Sequence, residues 1–238
     1  MSDCTHWLSR VRTRAGVGPR ELVALGGMDP YNQHRALYSL FNLPDKDERK
    51  GQPAPFLFRF DEEAGLPTFL ILSSQEPVDR LGRWIVESKS YTPAIREGDL
   101  LDFRLRANPI VSRPDEKGAR GKRHDVVMDA KVRMNWKDIL PAERPSLSQV
   151  AYEAGAKWLL SRAEGMGVSF EEKGLRADGY QVWRQPYGKR IELATLNYEG
   201  RLTVTAPEIL SKALLHGIGP AKGFGCGLLL VRRATGGE

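Results

Sequence analysis

The chain has 238 residues, 41% of them hydrophobic, enough for one large domain or two of roughly 100–150 residues each. Lysine plus arginine exceed aspartate plus glutamate by 36 − 30 = +6 and the pI is near 9.4, which favours a polyanionic partner without naming it. Two cysteines outside any CxxC pair exclude a disulfide framework and a zinc site. Four scattered histidines argue against a metal cluster, so neither metal nor cofactor is expected. The N-terminus has no basic-then-apolar leader and no apolar run nears the ~20 residues of a membrane helix, so a cytoplasmic protein is expected.

In chain order, residues 5–12 alternate as a strand does, and residues 14–28 are glycine-punctuated loop. Asp29 and Pro30 then supply an N-cap and a first helical position for a helix to about residue 41, with Leu37, Leu40 and Phe41 as its apolar stripe. Residues 42–55 read as loop. Strands follow over 56–60 and 68–72, then a short helix over 77–84 and a strand over 85–91. This β-α-β-β-α-β order is the ferredoxin-like plan, also used by RNA-recognition motifs.

Gly98-Asp99 marks a boundary, giving expected domains 1–97 and 98–238. The second opens on a strand over 100–110 in which Phe103 and Leu105 alternate with Arg104 and Arg106, one face for a core and the other presenting guanidinium groups. Residues 111–145 are too long for an ordinary connection and carry a basic stretch that includes Lys122 and Arg123. The expectation is a loop, either functional or disordered, and a basic loop that orders on RNA would be both. A helix over 146–162 follows, then strands over 168–170 and 180–183, a basic hairpin tip over 184–190, and a return strand over 191–198. A turn at 198–201, a strand at 202–204, a helix over 206–215 and a last strand over 228–231 complete the chain. The second half repeats β-α-β-β-α-β, so the fold class is α+β, two tandem ferredoxin-like domains.

Between the last helix and the last strand lie five glycines in the eleven residues 217–227, with Lys222 among them. The Walker phosphate loop needs Ser or Thr after its lysine, and Gly223 stands there. The dinucleotide fingerprint needs a third glycine where Lys222 stands and a helix behind it, whereas a strand follows. Another anionic chain fits better.

His34 is the histidine best placed for chemistry, with Tyr31 three residues before it and Tyr38 four after. The same spacing suits a histidine at the edge of a core, and both readings stand. A lone histidine in a basic protein suits RNA, whose own 2′-OH attacks the neighbouring phosphate. The protein then supplies proton transfer, cationic charge and fixed geometry.

Three motifs, Asp29-Pro30-Tyr31-Asn32-Gln33-His34-Arg35-Ala36-Leu37-Tyr38, Phe103-Arg104-Leu105-Arg106-Ala107-Asn108-Pro109 and the stretch from Gly217 to Gly227, resemble those of the CasE endoribonucleases of type I-E CRISPR systems. The resemblance spans essentially the whole chain. It implies tandem ferredoxin-like domains and metal-independent cleavage of precursor CRISPR RNA at the 3′ base of the repeat stem-loop. The products implied are a 5′-OH and a 2′,3′-cyclic or 3′-phosphate. The family's catalytic histidine falls on His34 and its helper tyrosine on Tyr31. The enzyme is expected to stay on its product and join the Cascade complex beside an adjacent backbone subunit. Candidate RNA contacts are Arg35, Arg104, Arg106, Lys122 and Arg123, then Arg184, Lys189 and Arg190 on the hairpin, and Gly219, Lys222 and Gly223 in the glycine stretch. The alternative is a non-catalytic RNA-binding subunit of the same fold.

Overall fold

Ser9, Val11 and Thr13 are buried while Arg10 and Arg12 between them are partly exposed, the period-two signature of a strand with one face on a core. The computed structural model of the chain describes residues 6–14, 16–18, 20, 29–42, 55–63, 66–114, 121–185 and 192–234. They divide into two units. The first comprises Met1–Ala94, Leu215–Gly217 and Ala221–Leu228, and the second Ile95–Leu214, Ile218–Pro220 and Leu229–Glu238.

In the first unit, strands β1 (His6–Thr13), β2 (Phe56–Glu63), β3 (Leu66–Ser73) and β4 (Trp84–Tyr91) form one antiparallel sheet in the order β2-β3-β1-β4. This is the ferredoxin-like strand order. Val11 lies opposite Phe69 on one side and Val86 on the other. Helix α1 (Pro30–Tyr38) covers the apolar face, where Leu37, Leu40, Phe41, Phe58, Phe69, Ile71 and Trp84 are all buried.

The helix expected over residues 77–84 is not formed. Asp79 takes the local amides instead, accepting from Leu81 N at 3.1 Å and Trp84 N at 2.9 Å, the competition by which Asp breaks helices. Val78 and Leu81 are exposed, so no apolar stripe holds a helix there, and Gly82 has φ +68°. The loops expected over 14–28 and 42–55 lie mostly outside the described residues.

The second unit holds β5 (Leu100–Ala107), β6 (Ile110–Arg113), β7 (Lys122–Asp125), α2 (Val126–Arg133), α3 (Leu147–Leu160), α4 (Ala163–Met166), β8 (Val168–Phe170), β9 (Arg176–Arg184), β10 (Glu192–Val204), α5 (Pro207–His216) and β11 (Leu229–Arg233). Its main sheet runs β11-β5-β10-β8, with β9 also paired to β10. Two successive strands thus share the position that one strand fills in the first unit. Leu101, Phe103, Leu105 and Ala107 face the core with Leu196, Tyr198, Leu202, Val150, Leu159 and Leu210.

Two expectations fail here. Residues 198–201 are not a turn but the middle of β10, a single 13-residue strand. Gly200, which suggested the turn, is there for close packing: a Cβ on it would lie 3.3 Å from Phe103 Cε1 and 3.4 Å from Leu175 Cα. The basic insert is not a structureless loop in its described part. β6 and β7 pair as a ribbon, and the Asp125 carboxylate at the ribbon's end caps α2 by accepting from Val127 N at 3.0 Å. Asp125 also accepts a short hydrogen bond from the Tyr180 hydroxyl. Arg113 grips Asp129 through Nε and Nη2 at 2.9 and 2.5 Å, fastening ribbon to helix. The outward charges hid this local order, because α2 buries only Val126 and Val127.

Candidate functional site

Helix α1 starts where sequence chemistry places it. The Asp29 carboxylate accepts from Tyr31 N at 3.0 Å and from Asn32 Nδ2 at 2.7 Å, with Pro30 next to the cap. This start sets the rotation of the helix. Gln33 and Leu37 turn inward, Tyr31 and Arg35 outward, and His34 sits half-buried at the margin.

The imidazole of His34 has aromatic walls. Tyr38, one turn on, meets it edge-to-face with centroids 4.5 Å apart, while Phe56 and Phe58 of β2 lie at 5.5 and 6.1 Å. Phe58 is wholly buried and Phe56 nearly so, packed among Phe41, Tyr38 and Phe69. These walls are fixed.

Another wall is backbone from the far end of the sequence. The 3-10 turn Lys222–Phe224 packs against α1 and β2, and a Cβ on Gly223 would lie 3.4 Å from His34 Cε1. Ala221 and Gly225 flank the turn in the left-handed region, at φ 61° and 75°. A Cβ on Gly225 would lie 3.1 Å from Phe58 Cε2, and one on Gly217 2.8 Å from Leu57 Cδ1. The glycines let the loop lie flat on the aromatic cluster. Lys222 is half-buried, and no carboxylate among the described residues pairs with it. His34, Lys222 and Gly223 thus come together within the first unit, with Tyr31 and Arg35 on the same helix; Arg35 lies over the Tyr31 ring at 6.0 Å.

The remaining candidates lie in the second unit. Arg104 and Arg106 project from the outer face of β5. Arg104 Nε donates to Glu199 Oε1 at 2.9 Å, and Arg106 Nη2 reaches Thr195 Oγ1 at 3.4 Å. Lys122 and Arg123 are exposed on β7. Arg184, at the end of β9, pairs with Glu192 at 3.2 Å with both side chains exposed, a bond of little worth that a phosphate can replace. Gly219 has φ +74°, and its Cα side faces the Trp158 indole, 3.4 Å from a Cβ built there. Lys189 and Arg190 lie outside the described residues.

Sequence reasoning missed Phe56 and Phe58 as neighbours of His34. The alternation Phe56-Leu57-Phe58 was the available signal, since residues two apart share a strand face. No local signal links Gly223 to His34. Among the described residues no three His, Cys, Asp or Glu side chains gather as a metal site, and no helix is long and apolar enough to cross a membrane.

The arrangement pairs a nitrogen acid–base, held by packing, with a lysine on a glycine turn. That combination suits proton transfer beside a phosphate. A family model described as CRISPR associated protein matches residues 6–233. The CRISPR-associated endoribonuclease Cse3 of Thermus thermophilus is 30% identical over 214 residues, covering 85% of this chain and 90% of the relative. The CRISPR system Cascade subunit CasE of Escherichia coli K12 is 30% identical over 205 residues, covering 84% and 90%. The structure of Thermus thermophilus Cse3 bound to an RNA representing a pre-cleavage complex superposes with a TM-score of 0.67 at 25% identity, covering 96% of this chain and 99% of that one. On these grounds the chain belongs to the CRISPR-associated protein family that the matching model describes.

Proposed function

We propose that this chain is a metal-independent endoribonuclease that cuts precursor CRISPR RNA at the 3′ base of the repeat stem-loop. The observation that carries this reading is the convergence of His34 with the Lys222–Gly223 backbone, in a chain whose relatives are named as a CRISPR-associated endoribonuclease and a Cascade subunit. The 2′-oxygen forms a bond to the adjacent phosphorus as the bond from phosphorus to the 5′-oxygen breaks. The 2′-OH proton leaves and the departing 5′-oxygen gains one, giving a 2′,3′-cyclic phosphate and a 5′-OH. His34 moves one of these protons. Lys222 offsets the charge that builds on the phosphorane oxygens, and Tyr31 assists from the exposed side of α1.

The outer face of β5, the β6–β7 ribbon and Arg184 hold the stem. A-form RNA hides its bases in a deep, narrow groove, so these side chains meet phosphates and read shape. The protein keeps its product and enters a Cascade complex with it. Incubation with its repeat RNA in excess EDTA should yield a single cut with a cyclic phosphate end, and a 2′-deoxy substitution at the scissile nucleotide should block it. Binding without cleavage would instead favour a non-catalytic RNA-binding subunit, in which the aromatic packing of His34 is purely structural.

A further inference from the structure

A groove of about 670 Å³ opens between β6, α2 and α3 of the second unit. None of the candidate RNA contacts above lies in it. Its floor is Trp158, held by an Nε1 hydrogen bond to Ile110 O at 3.1 Å and stacked from below by Tyr198. Arg162 sits over the same indole, its Cζ 3.9 Å from the ring centroid. Its Nη1 donates to Trp158 O at 2.8 Å and to Ser161 Oγ at 3.1 Å. The guanidinium is pinned without any carboxylate among the described residues, and burial holds its pKa below the usual arginine value.

Arg133 and Lys157 stand exposed on the walls, with no ion-pair partner among the described residues. Of the acids lining the groove, Asp129 is taken by Arg113 and Glu153 accepts from Gln149. The larger cavity on the outer face of the main sheet differs, because its arginines already meet carboxylates.

We propose that this groove binds a short single-stranded stretch of RNA flanking the repeat stem-loop, with one base laid on the Arg162 guanidinium and neighbouring phosphates met by Arg133 and Lys157. The proposal rests on the RNA-processing reading above. Pockets of this size take a ligand of a few hundred daltons, which admits one or two nucleotides and not a duplex. The apolar walls, Val111 and Met134 among them, suit sugar and base surfaces that a duplex keeps stacked. Arginine planes are among the surfaces on which unpaired RNA bases stack. An acidic peptide is the poorer fit, because much of the wall is apolar, with Val111, Ala130 and Met134, and suits a base and sugar better than carboxylates.

The test compares two RNAs on the full chain, the repeat stem-loop alone and the same stem-loop with its natural single-stranded flanks. The unmodified protein should bind the flanked RNA about tenfold more tightly. The double substitution Arg133→Gln/Lys157→Gln should remove that advantage and lower the salt slope for the flanked RNA by about 1.4, two single-strand phosphate contacts. Arg162→Lys keeps the charge but loses the plane, and should remove part of the advantage while tryptophan fluorescence confirms the fold. Equal affinity of the unmodified protein for both RNAs would overturn the proposal, as would an equal loss on both RNAs in the double variant. RNA affinities unchanged by the double variant, with weakened assembly into Cascade, would assign the groove to an acidic protein surface instead. If the unmodified chain binds neither RNA, the RNA-processing reading itself falls.

Discussion

Two alanine substitutions, two residues apart in the glycine turn, should have opposite signatures. Gly225 has φ 75° and ψ 22°, where an L-residue costs about 1–2 kcal/mol. Its new Cβ would also meet Phe58 Cε2 at 3.1 Å, inside the ~3.5–4.0 Å optimum for carbon pairs. Phe58 is fully buried among Phe56, Phe69 and the His34 ring, so it cannot yield, and overpacking adds about 1 kcal/mol or more. Gly225→Ala should therefore destabilise the first unit by about 2–4 kcal/mol, moving its urea midpoint down by roughly 1 M or more for a slope of ~1–3 kcal/mol/M. Gly223 has no positive φ, and its Cβ would meet His34 Cε1 at an ordinary 3.4 Å. Gly223→Ala should leave stability within about 1 kcal/mol of the original. Its methyl would nonetheless cover the imidazole edge beside Lys222, and displacing the reacting groups by even 1 Å can cost ~100-fold, so single-turnover cleavage should fall roughly 10- to 100-fold. A Gly225→Ala protein as stable as the original would refute the packing account. A Gly223→Ala protein that cuts at the original rate would refute the placement of RNA against His34.

His34→Ala should abolish cutting while RNA affinity changes less than about threefold; loss of the fold instead, read by circular dichroism, would make His34 a core-edge residue only. Lys222→Ala should weaken RNA binding and reduce the salt slope by about 0.7–0.9, one phosphate contact, and an unchanged slope would leave the loop a purely structural role. Burial raises the Asp125 carboxyl above its usual pKa, outweighing hydrogen bonds from Tyr180 and from the Val127 and Met128 amides. The folded state therefore holds this proton more tightly than the unfolded state. Asp125 stabilises most below the unfolded pKa, about 3.9, and that contribution is lost as pH rises through the folded value. Asp125→Asn keeps one oxygen to accept from Val127 N and turns an amide NH2 donor towards the Tyr180 hydroxyl, which can accept it; lacking a titrating group, it should flatten the second unit's stability from pH 4 upwards. Urea midpoints against pH that fall as steeply in the variant would contradict this origin.

What could be read in the sequence was whatever is local. Asp29-Pro30 marked the start of α1 because cap and first-turn chemistry act within four residues. The alternation of Phe103 and Leu105 with Arg104 and Arg106 marked both faces of β5 for the same reason. Errors came where one residue type serves two purposes. Gly200 looked like a turn, yet it is a strand glycine making room for Phe103. Residues 77–84 read as a short helix, yet the Asp79 carboxylate takes the amides such a helix needs. The insert looked structureless because α2 and its ribbon are held by Arg113–Asp129 and Asp125–Tyr180 pairs, not by an apolar stripe. The walls of His34 were half legible: Tyr38 from helical spacing, Phe56 and Phe58 only through strand alternation, and Gly223 not at all.

The glycine stretch shows why that last wall was invisible. Residues 215–217 and 221–228 belong to the first unit, while 218–220 and β11 belong to the second. The chain passes between the units four times from Leu214 to Leu229, and Gly217 and Gly219, at φ 75° and 74°, supply turns beside two of those crossings. The same constraint orders the assembly of the site. Helix α1 has nine residues, below the ~12–15 at which isolated helices become marginal in water, so its orientation depends on packing over Phe56 and Phe58. That packing is available once the first four strands exist. The Gly223 and Lys222 wall is available only after more than 180 further residues past His34 have been made. His34 and its aromatic walls are encoded early and Lys222 and Gly223 late, so the first unit, which includes residues 215–217 and 221–228, is incomplete until those residues have been made.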